Sequence, residues 1–150
     1  MELPRGMRNK NPGNIERTGA KWSGMASKQT DSRFVVFQGF KWGLRALAKI
    51  LITYQTKYKI RKPIDIIRRW APDIENDPAA YAAFVAKRLG ISMHDVVDLS
   101  KPEVLKPFVR AITDYETGRD DNGKWWMDQV PESELDEGIQ LAISSVIWRK

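Results

Sequence analysis

Apolar side chains recur at helical spacing along most of the chain. The clearest stripe predicts a helix over about residues 41–57 and consists of Trp42, Leu47, Ile50, Leu51 and Tyr54. Pro63 fits the first position of a short helix that ends near Trp70. Asp77 and Pro78 are typical of a helix start, and Gly90 is typical of the end of that helix.

Two further helix starts have a serine followed three residues later by an acid, at Ser92–Asp95 and Ser100–Glu103. The second predicts a helix from about Lys101 to Thr117 that ends at Gly118. Its inward face is formed by Leu105, Phe108, Val109, Ile112 and Glu116. With a last helix beginning at Pro131, we expect about six helices.

The first third of the chain has a different pattern. Residues 5–30 are dense in Arg, Lys, Asn, Gly and Ser, which predicts irregular structure with one or two short strands. Arg33–Phe37 is the most convincing strand of the sequence. We therefore expect one domain over residues 1–150, mainly α, with a small β-hairpin near the N-terminus and no linker.

Composition excludes several kinds of chemistry. The chain of 150 residues is 42% hydrophobic and 29% charged, which is typical of a globular domain. It has no Cys, so disulfides, thiolate zinc sites and cysteine nucleophiles are excluded, and its one His, His94, excludes sites that need two imidazoles. No glycine-rich phosphate loop or metal-ligand spacing is found, so we expect no cofactor and no metal.

Positive charge is concentrated in one half of the chain. Residues 1–70 carry 16 basic and 4 acidic side chains, whereas residues 71–150 carry 9 basic and 15 acidic ones. This favours an anionic partner: nucleic acid, a membrane surface or a cell-wall polymer. No apolar run approaches ~18 residues, no helix-turn-helix pattern is found, and residues 1–14 lack the apolar core of an export signal. We therefore expect no membrane insertion, no nucleic acid and no signal peptide.

Glu116 is the most informative acid of the sequence. It follows Ile112 by four residues on the inward face of its helix and precedes the terminal Gly118 by two. Burial and the negative end of the helix dipole both disfavour a charged carboxylate, so its pKa should be raised. A carboxyl group that is protonated near neutral pH is what general-acid cleavage of a glycosidic bond requires. A solvated acid at a frayed helix end is the alternative.

Other residues suit the binding of a sugar. Asn11 and Asn14 offer side-chain amides in a turn, although Asn is also common in turns for structural reasons. Trp22 and Trp125 are candidate stacking platforms among six tryptophans, most of which we expect in the core. Asp31 precedes the predicted strand and is a candidate second carboxylate, or simply a turn residue.

Several motifs together resemble a phage lysozyme-like family whose members are endolysins and virion proteins. They are Arg5–Ile15, Trp22, Gly24, Asp31, Arg33–Phe37, Trp42–Ala46, Arg69–Pro72, Glu75–Pro78, Tyr81 and Glu116–Gly118. The order from Asn14 to Tyr81 also resembles bacterial glucosaminidase and flagellar muramidase domains, in which the catalytic Glu precedes this order. Here Glu116 follows it, so the resemblance implies a circularly permuted lysozyme-like fold.

The resemblance implies a hydrolase or lytic transglycosylase that cuts β-1,4 bonds between the MurNAc and GlcNAc sugars of peptidoglycan. We expect a monomer, because that is the default for a domain of this size. Glu116 would act as acid and then base, and Tyr81 would lie near the reacting sugar. Asn14 and Asp31 would lie across the cleft, with Asn11, Trp22, Asn76 and Trp125 binding substrate. Such a protein would be phage-encoded and act in the host periplasm or be carried in the virion. A non-catalytic virion or wall-binding protein with the same fold is the alternative.

Overall fold

A computed structural model describes residues 2–72 and 77–146, and its regular structure is helical. The α-helices are α1 (Arg5–Arg8), α2 (Phe40–Thr56), α3 (Pro63–Trp70), α4 (Pro78–Leu89), α5 (Pro102–Thr117) and α6 (Glu132–Ser144). A 3₁₀ helix, Trp126–Gln129, precedes α6. The mainly α architecture is therefore confirmed, and the predicted bounds of α2 to α5 agree with the structure to within about one residue.

Local chemistry explains where these helices begin and end. A proline occupies the first position of α3, α4 and α5, where the missing N–H costs no helical hydrogen bond. The Asp77 carboxylate accepts a hydrogen bond from the backbone N–H of Ala79 at 2.9 Å and so caps α4. Gly90 ends α4 in the left-handed conformation, with φ of 70°.

Helix α2 lies at the centre of the core. It packs against α6 and also contacts α5, and α5 in turn packs against α4, α6 and the 3₁₀ helix. Two glycines allow close backbone approach to α2. A Cβ at Gly138 of α6 would lie 2.9 Å from the carbonyl oxygen of Lys41, and a Cβ at Gly43 of α2 would lie 2.2 Å from that of Lys10. The second contact holds the N-terminal loop against α2.

The predicted β-hairpin is wrong. Residues 33–37 form only isolated antiparallel bridges, Glu16 with Phe34 and Met25 with Phe37, so residues 2–72 and 77–146 contain no β-strand. The backbone partners change from residue to residue. Val35 N–H donates to the Ile15 carbonyl, but Val36 N–H donates to the side-chain oxygen of Gln29. Side chains thus take the backbone groups that a continuous ladder would use.

The prediction of a helix from Ser92 is also wrong. Residues 92–95 form a turn in which the Asp95 carboxylate accepts from the Ser92 N–H at 2.9 Å. The chain then runs back along earlier elements, with Val97 N–H donating to the carbonyl of Arg61. The sixth helix is instead α1, which is too short to show a periodic pattern. No helix in the described part of the chain is long and apolar enough to span a bilayer.

Candidate active site

Glu116 lies on the last turn of α5 and is partly buried at one side of a cleft. The helix continues for one more residue, Thr117, and Gly118 then turns the chain away with φ of 75°. The glycine conformation lets α5 stop directly after the acid, so its carboxyl group faces the cleft from the negative end of a helix.

Two side chains donate hydrogen bonds to the carboxyl group. The Tyr81 hydroxyl of α4 donates to Glu116 Oε2 at 2.8 Å, and the Asn14 amide donates to Oε1 at 3.3 Å. The Trp70 indole N–H at the end of α3 donates to the Tyr81 hydroxyl at 3.3 Å. Tyr81 is fully buried and stacks on Tyr115, with ring centroids 3.7 Å apart. The carboxyl orientation is therefore fixed from three separate elements of the fold.

Burial raises the pKa of Glu116, and the hydrogen bonds from Tyr81 and Asn14 act in the opposite direction without cancelling the effect. The pKa of Tyr81 lies well above its usual value, because its hydroxyl is buried and next to the Glu116 carboxyl. Tyr81 is therefore a neutral hydrogen-bond donor near neutral pH. The site combines an acid that retains its proton to higher pH with a neutral donor beside it.

The cleft has a volume of about 420 Å³, within the range of small-molecule sites. The N-terminal loop provides one wall, with Asn14 and Trp22 among its residues, and α2 and the end of α3 provide the other. The lining residues include four aromatic side chains, Trp22, Phe34, Tyr54 and Trp70. Aromatic surfaces beside a single proton donor suit a ligand that is apolar on its ring faces and polar at its edges, as a sugar is.

The structure brings four of the predicted site residues together. Asn14, Trp22 and Glu116 line the cleft, and Tyr81 lies directly behind Glu116. Asn76, the predicted substrate-binding amide, lies outside the described residues. The remaining three predicted residues, Asp31, Asn11 and Trp125, do not line the cleft.

Asp31 does not face the cleft because its carboxylate is fully engaged elsewhere. It accepts two hydrogen bonds of 2.7 Å from Arg5 and one of 2.9 Å from Asn9. It also accepts from the backbone N–H groups of Arg33 and Phe34. The Arg5 guanidinium and these N–H donors hold its pKa well below the usual range. Asp31 ties the extended segment to α1, and this geometry corrects its prediction as a second catalytic carboxylate.

The side chains of Asn11 and Trp125 are also engaged in contacts within the fold. Asn11 is fully buried, and its amide binds the backbone N–H and carbonyl of Ile15 and the carbonyl of Val35. Trp125 packs edge-on against Phe84, with centroids 5.9 Å apart, and under the guanidinium of Arg119 at 3.8 Å. Both residues lack a free face toward the cleft, so neither supports the predicted contact with substrate.

Several residues of the cleft are not evident from the sequence. The helical spacing predicts Tyr54 and Trp70 for the core, but both are only partly buried and line the cleft. Glu16 and Arg33 also line it and form an exposed ion pair at 2.8 Å. For Glu16, the sequence signal is its position two residues after Asn14, which is itself a candidate site residue. Within residues 2–72 and 77–146, no group of three His, Asp or Glu side chains comes together to hold a metal ion.

Comparison with known proteins identifies one informative relative. The chain is 38% identical over 120 residues to Protein P5 of Pseudoalteromonas phage PM2, and the alignment covers 78% of this chain and 73% of that protein. No family model matches the sequence.

Proposed function

We propose that this chain, which belongs to the family of Protein P5 of Pseudoalteromonas phage PM2, cleaves the glycan strands of peptidoglycan. Glu116 is the proton donor. The observation that carries the proposal is a partly buried carboxyl group with a raised pKa at the side of an aromatic-lined cleft. The phage relationship fits a protein whose target is a bacterial cell wall.

The proton-transfer step follows from the geometry. Burial keeps Glu116 protonated to higher pH, and Tyr81 holds the carboxyl group in one orientation. The acid gives its proton to the oxygen of the glycosidic bond as that bond breaks, and the resulting carboxylate then accepts a proton from the attacking hydroxyl group. A positioned acid of this kind contributes typically 10²–10⁴-fold to the rate.

The walls of the cleft support a glycan as the substrate. Trp22, Tyr54 and Trp70 offer flat surfaces against which sugar rings pack. The strongly basic first 70 residues, which supply most of the cleft, favour an anionic polymer. The motifs that resemble those of phage lysozyme-like proteins and muramidase domains are consistent with this choice, and the bond proposed is the β-1,4 linkage between MurNAc and GlcNAc.

Two ways of completing the reaction are compatible with this site. Water can attack the sugar, in which case Glu16, which also lines the cleft, is available as the second carboxylate. Alternatively, the 6-hydroxyl group of the sugar itself can attack, and Glu116 alone can then serve as acid and base. The first route leaves a reducing end and the second leaves an anhydro end.

A second candidate function is a non-catalytic phage component that binds the cell wall through the same cleft. The relationship to a phage protein whose name states no activity favours it. In either case we propose that the protein acts on the host wall as a monomer, in the periplasm or as part of the virion.

The test compares the wild-type protein with Glu116→Gln on purified Gram-negative sacculi. Glu103→Gln is the matched control, because Glu103 is an exposed acid on the first turn of the same helix. We expect wild type and Glu103→Gln to release soluble muropeptides and Glu116→Gln to lose most of the activity. Mass spectrometry of the fragments separates reducing from anhydro ends. Binding without release by the wild type favours the second candidate, and equal release by Glu116→Gln overturns the role of Glu116.

A further inference from the structure

The side-chain amide of Asn14 has one polar atom without a partner. Its Nδ2 donates to Glu116 Oε1 at 3.3 Å, which is long for an N–H to oxygen bond. Its Oδ1 is buried and accepts no hydrogen bond within the described part of the chain. A buried acceptor without a donor costs free energy. Oδ1 lies at the same site as the Glu116 carboxyl group, so a protonated Glu116 is a candidate donor to it.

The other oxygen of Glu116 has a fixed role. An indole N–H can only donate, so the Trp70 bond makes the Tyr81 hydroxyl an acceptor on one side. The hydroxyl hydrogen must then point to Glu116 Oε2, 2.8 Å away. Oε2 is therefore an acceptor in both protonation states, and the proton of neutral Glu116 belongs on Oε1, the oxygen that faces Asn14.

A proton on Oε1 conflicts with the Asn14 amide as it stands, because two hydrogens would then face each other. A half-turn of the terminal amide exchanges Nδ2 and Oδ1, so that Oδ1 accepts the Oε1 proton. The exchanged NH₂ group would then lie beside Gly6. A Cβ built at Gly6 would be 2.9 Å from Asn14 Oδ1 and 3.0 Å from the Asn11 carbonyl oxygen, so that carbonyl, which also accepts the Asn14 backbone N–H at 2.9 Å, borders the same space.

We propose that Asn14 is a positioning residue for Glu116 whose side-chain amide reverses with the protonation state of the carboxyl group. It donates to the carboxylate and accepts from the acid. The consequence for turnover rests on the proposed function. Asn14 Oδ1 accepts the hydrogen bond from the Oε1 proton until a glycosidic oxygen takes the place of Oδ1 as acceptor. The Asn14 amide then returns to its first orientation and donates to the carboxylate that remains.

Few other ionisable groups face the Glu116 carboxyl. Tyr81 of α4 contacts it, Tyr115 stacks behind Tyr81, and the cleft is shared with Glu16, Arg33 and Tyr54. Several other charged groups around α5 are engaged in ion pairs that join it to α4, the 3₁₀ helix and α6: Arg88–Asp114, Arg110–Asp128, and Lys106 with Glu132 and Asp136. Glu103 lies exposed on the first turn of α5, at the opposite end of the helix from Glu116. On α1, Arg5 is paired with Asp31. The raised pKa of Glu116 brings its titration within reach of the folded protein.

The direct test is an NMR titration of the wild-type protein. The Glu116 side-chain carboxyl carbon reports protonation, and nuclear Overhauser effects from the Asn14 NH₂ protons report which way the amide points. We expect these protons to lie near Glu116 above its pKa and near the Gly6 α-protons below it, with one shared midpoint. The same pattern of contacts on both sides of the midpoint, or a change at a different pH, overturns the proposal.

A variant gives a second, independent measurement. Asn14 has φ of 52°, so Asn14→Gly removes the amide and keeps the backbone conformation available. A fixed donor would lower the pKa of Glu116, and its removal would raise that pKa. A reversing amide stabilises both forms, although the carboxylate somewhat more than the acid, so we expect the pKa to rise by at most about one unit. A rise of about two units or more contradicts the proposal. Lys59→Gly, at φ of 60° on the exposed surface, is the matched backbone control.

Both measurements detect protonation and not turnover. If the protein cleaves no glycan, the amide can still be seen to reverse, and the proposed function fails alone. If the amide is fixed and Glu116→Gln still abolishes muropeptide release, the inference about Asn14 fails alone.

Discussion

Replacing Tyr81 with Phe tests how the hydroxyl group tunes Glu116. The substitution removes one oxygen from a fully buried ring and keeps its stack on Tyr115, so the packing of α4 on α5 is preserved. The lost interaction is the 2.8 Å hydrogen bond to Glu116 Oε2. Because this bond stabilises the carboxylate more than the acid, we expect the pKa of Glu116 to rise further.

The size of the rise follows from the kind of hydrogen bond. A bond to a charged group contributes about 1.5–3 kcal/mol, whereas one to a neutral group contributes about 0.5–1.5 kcal/mol. The difference, about 1–1.5 kcal/mol, corresponds to roughly one pKa unit, since one unit is about 1.4 kcal/mol. In an active enzyme, the basic limb of the pH profile would move upward by the same amount.

Carbon-13 NMR of the Glu116 carboxyl group measures this pKa without reference to activity. Tyr115→Phe is the matched control, because it makes the same chemical change in the neighbouring ring, whereas the hydroxyl group that donates to Glu116 belongs to Tyr81. An unchanged or lower pKa in Tyr81→Phe, or an equal rise in the control, would refute the reasoning that Tyr81 stabilises the carboxylate.

Three further substitutions test the energetics of the site and of the fold around it. The pKa of Glu116 is raised in the folded state. Between the ordinary Glu pKa of about 4.3 and the raised value, the folded protein therefore binds more protons than the unfolded chain does. The free energy of unfolding thus falls as pH rises through that window. At pH values above this window, Glu116→Gln should therefore unfold at a higher temperature than wild type, and at pH values below it the two should unfold at similar temperatures. Calorimetry that shows no pH-dependent difference between them would contradict this. Gly43→Ala places a Cβ 2.2 Å from the Lys10 carbonyl oxygen, so we expect a loss of about 1–3 kcal/mol in denaturant unfolding. Gly90→Ala, at φ of 70° with open space around it, should cost stability in the same unfolding measurement but leave the Glu116 pKa unchanged.

The sequence predicted the helices because their signals are local. Pro63, Pro78 and Pro102 each stand at the first position of a helix, and for α4 and α5 the following glycines, Gly90 and Gly118, mark the end. Local signals could not predict whether the hairpin forms. Phe34 and Phe37 have the composition of a strand, but whether a ladder forms depends on competing partners such as the Gln29 side chain, which are visible only in three dimensions.

The same distinction applies to polar residues. Asn11, Asn14 and Asp31 are all short polar side chains at predicted turns, and nothing in the local sequence shows which of them faces the cleft. In the structure, Asn11 bonds the backbone of the N-terminal loop, and Asp31 bonds Arg5, Asn9 and two backbone N–H groups, whereas Asn14 donates to Glu116. Asn14 also differs from the other two residues in its backbone, which is left-handed with φ of 52°. An Asn at such a position has a conformational reason to be there as well as a chemical one.

The Glu116 site depends on contacts between distant parts of the chain, and this limits what any pattern can reveal. Tyr81 is separated from Glu116 by 35 residues and Asn14 by 102. In the sequence, Tyr81 is an aromatic residue on the inner face of a helix, and Phe would satisfy that pattern equally well. Only the hydroxyl group, buried between an indole donor and a carboxyl acceptor, distinguishes the two. The apolar pattern therefore determines which elements pack together, and single polar atoms on the packed faces determine what the resulting cleft can do.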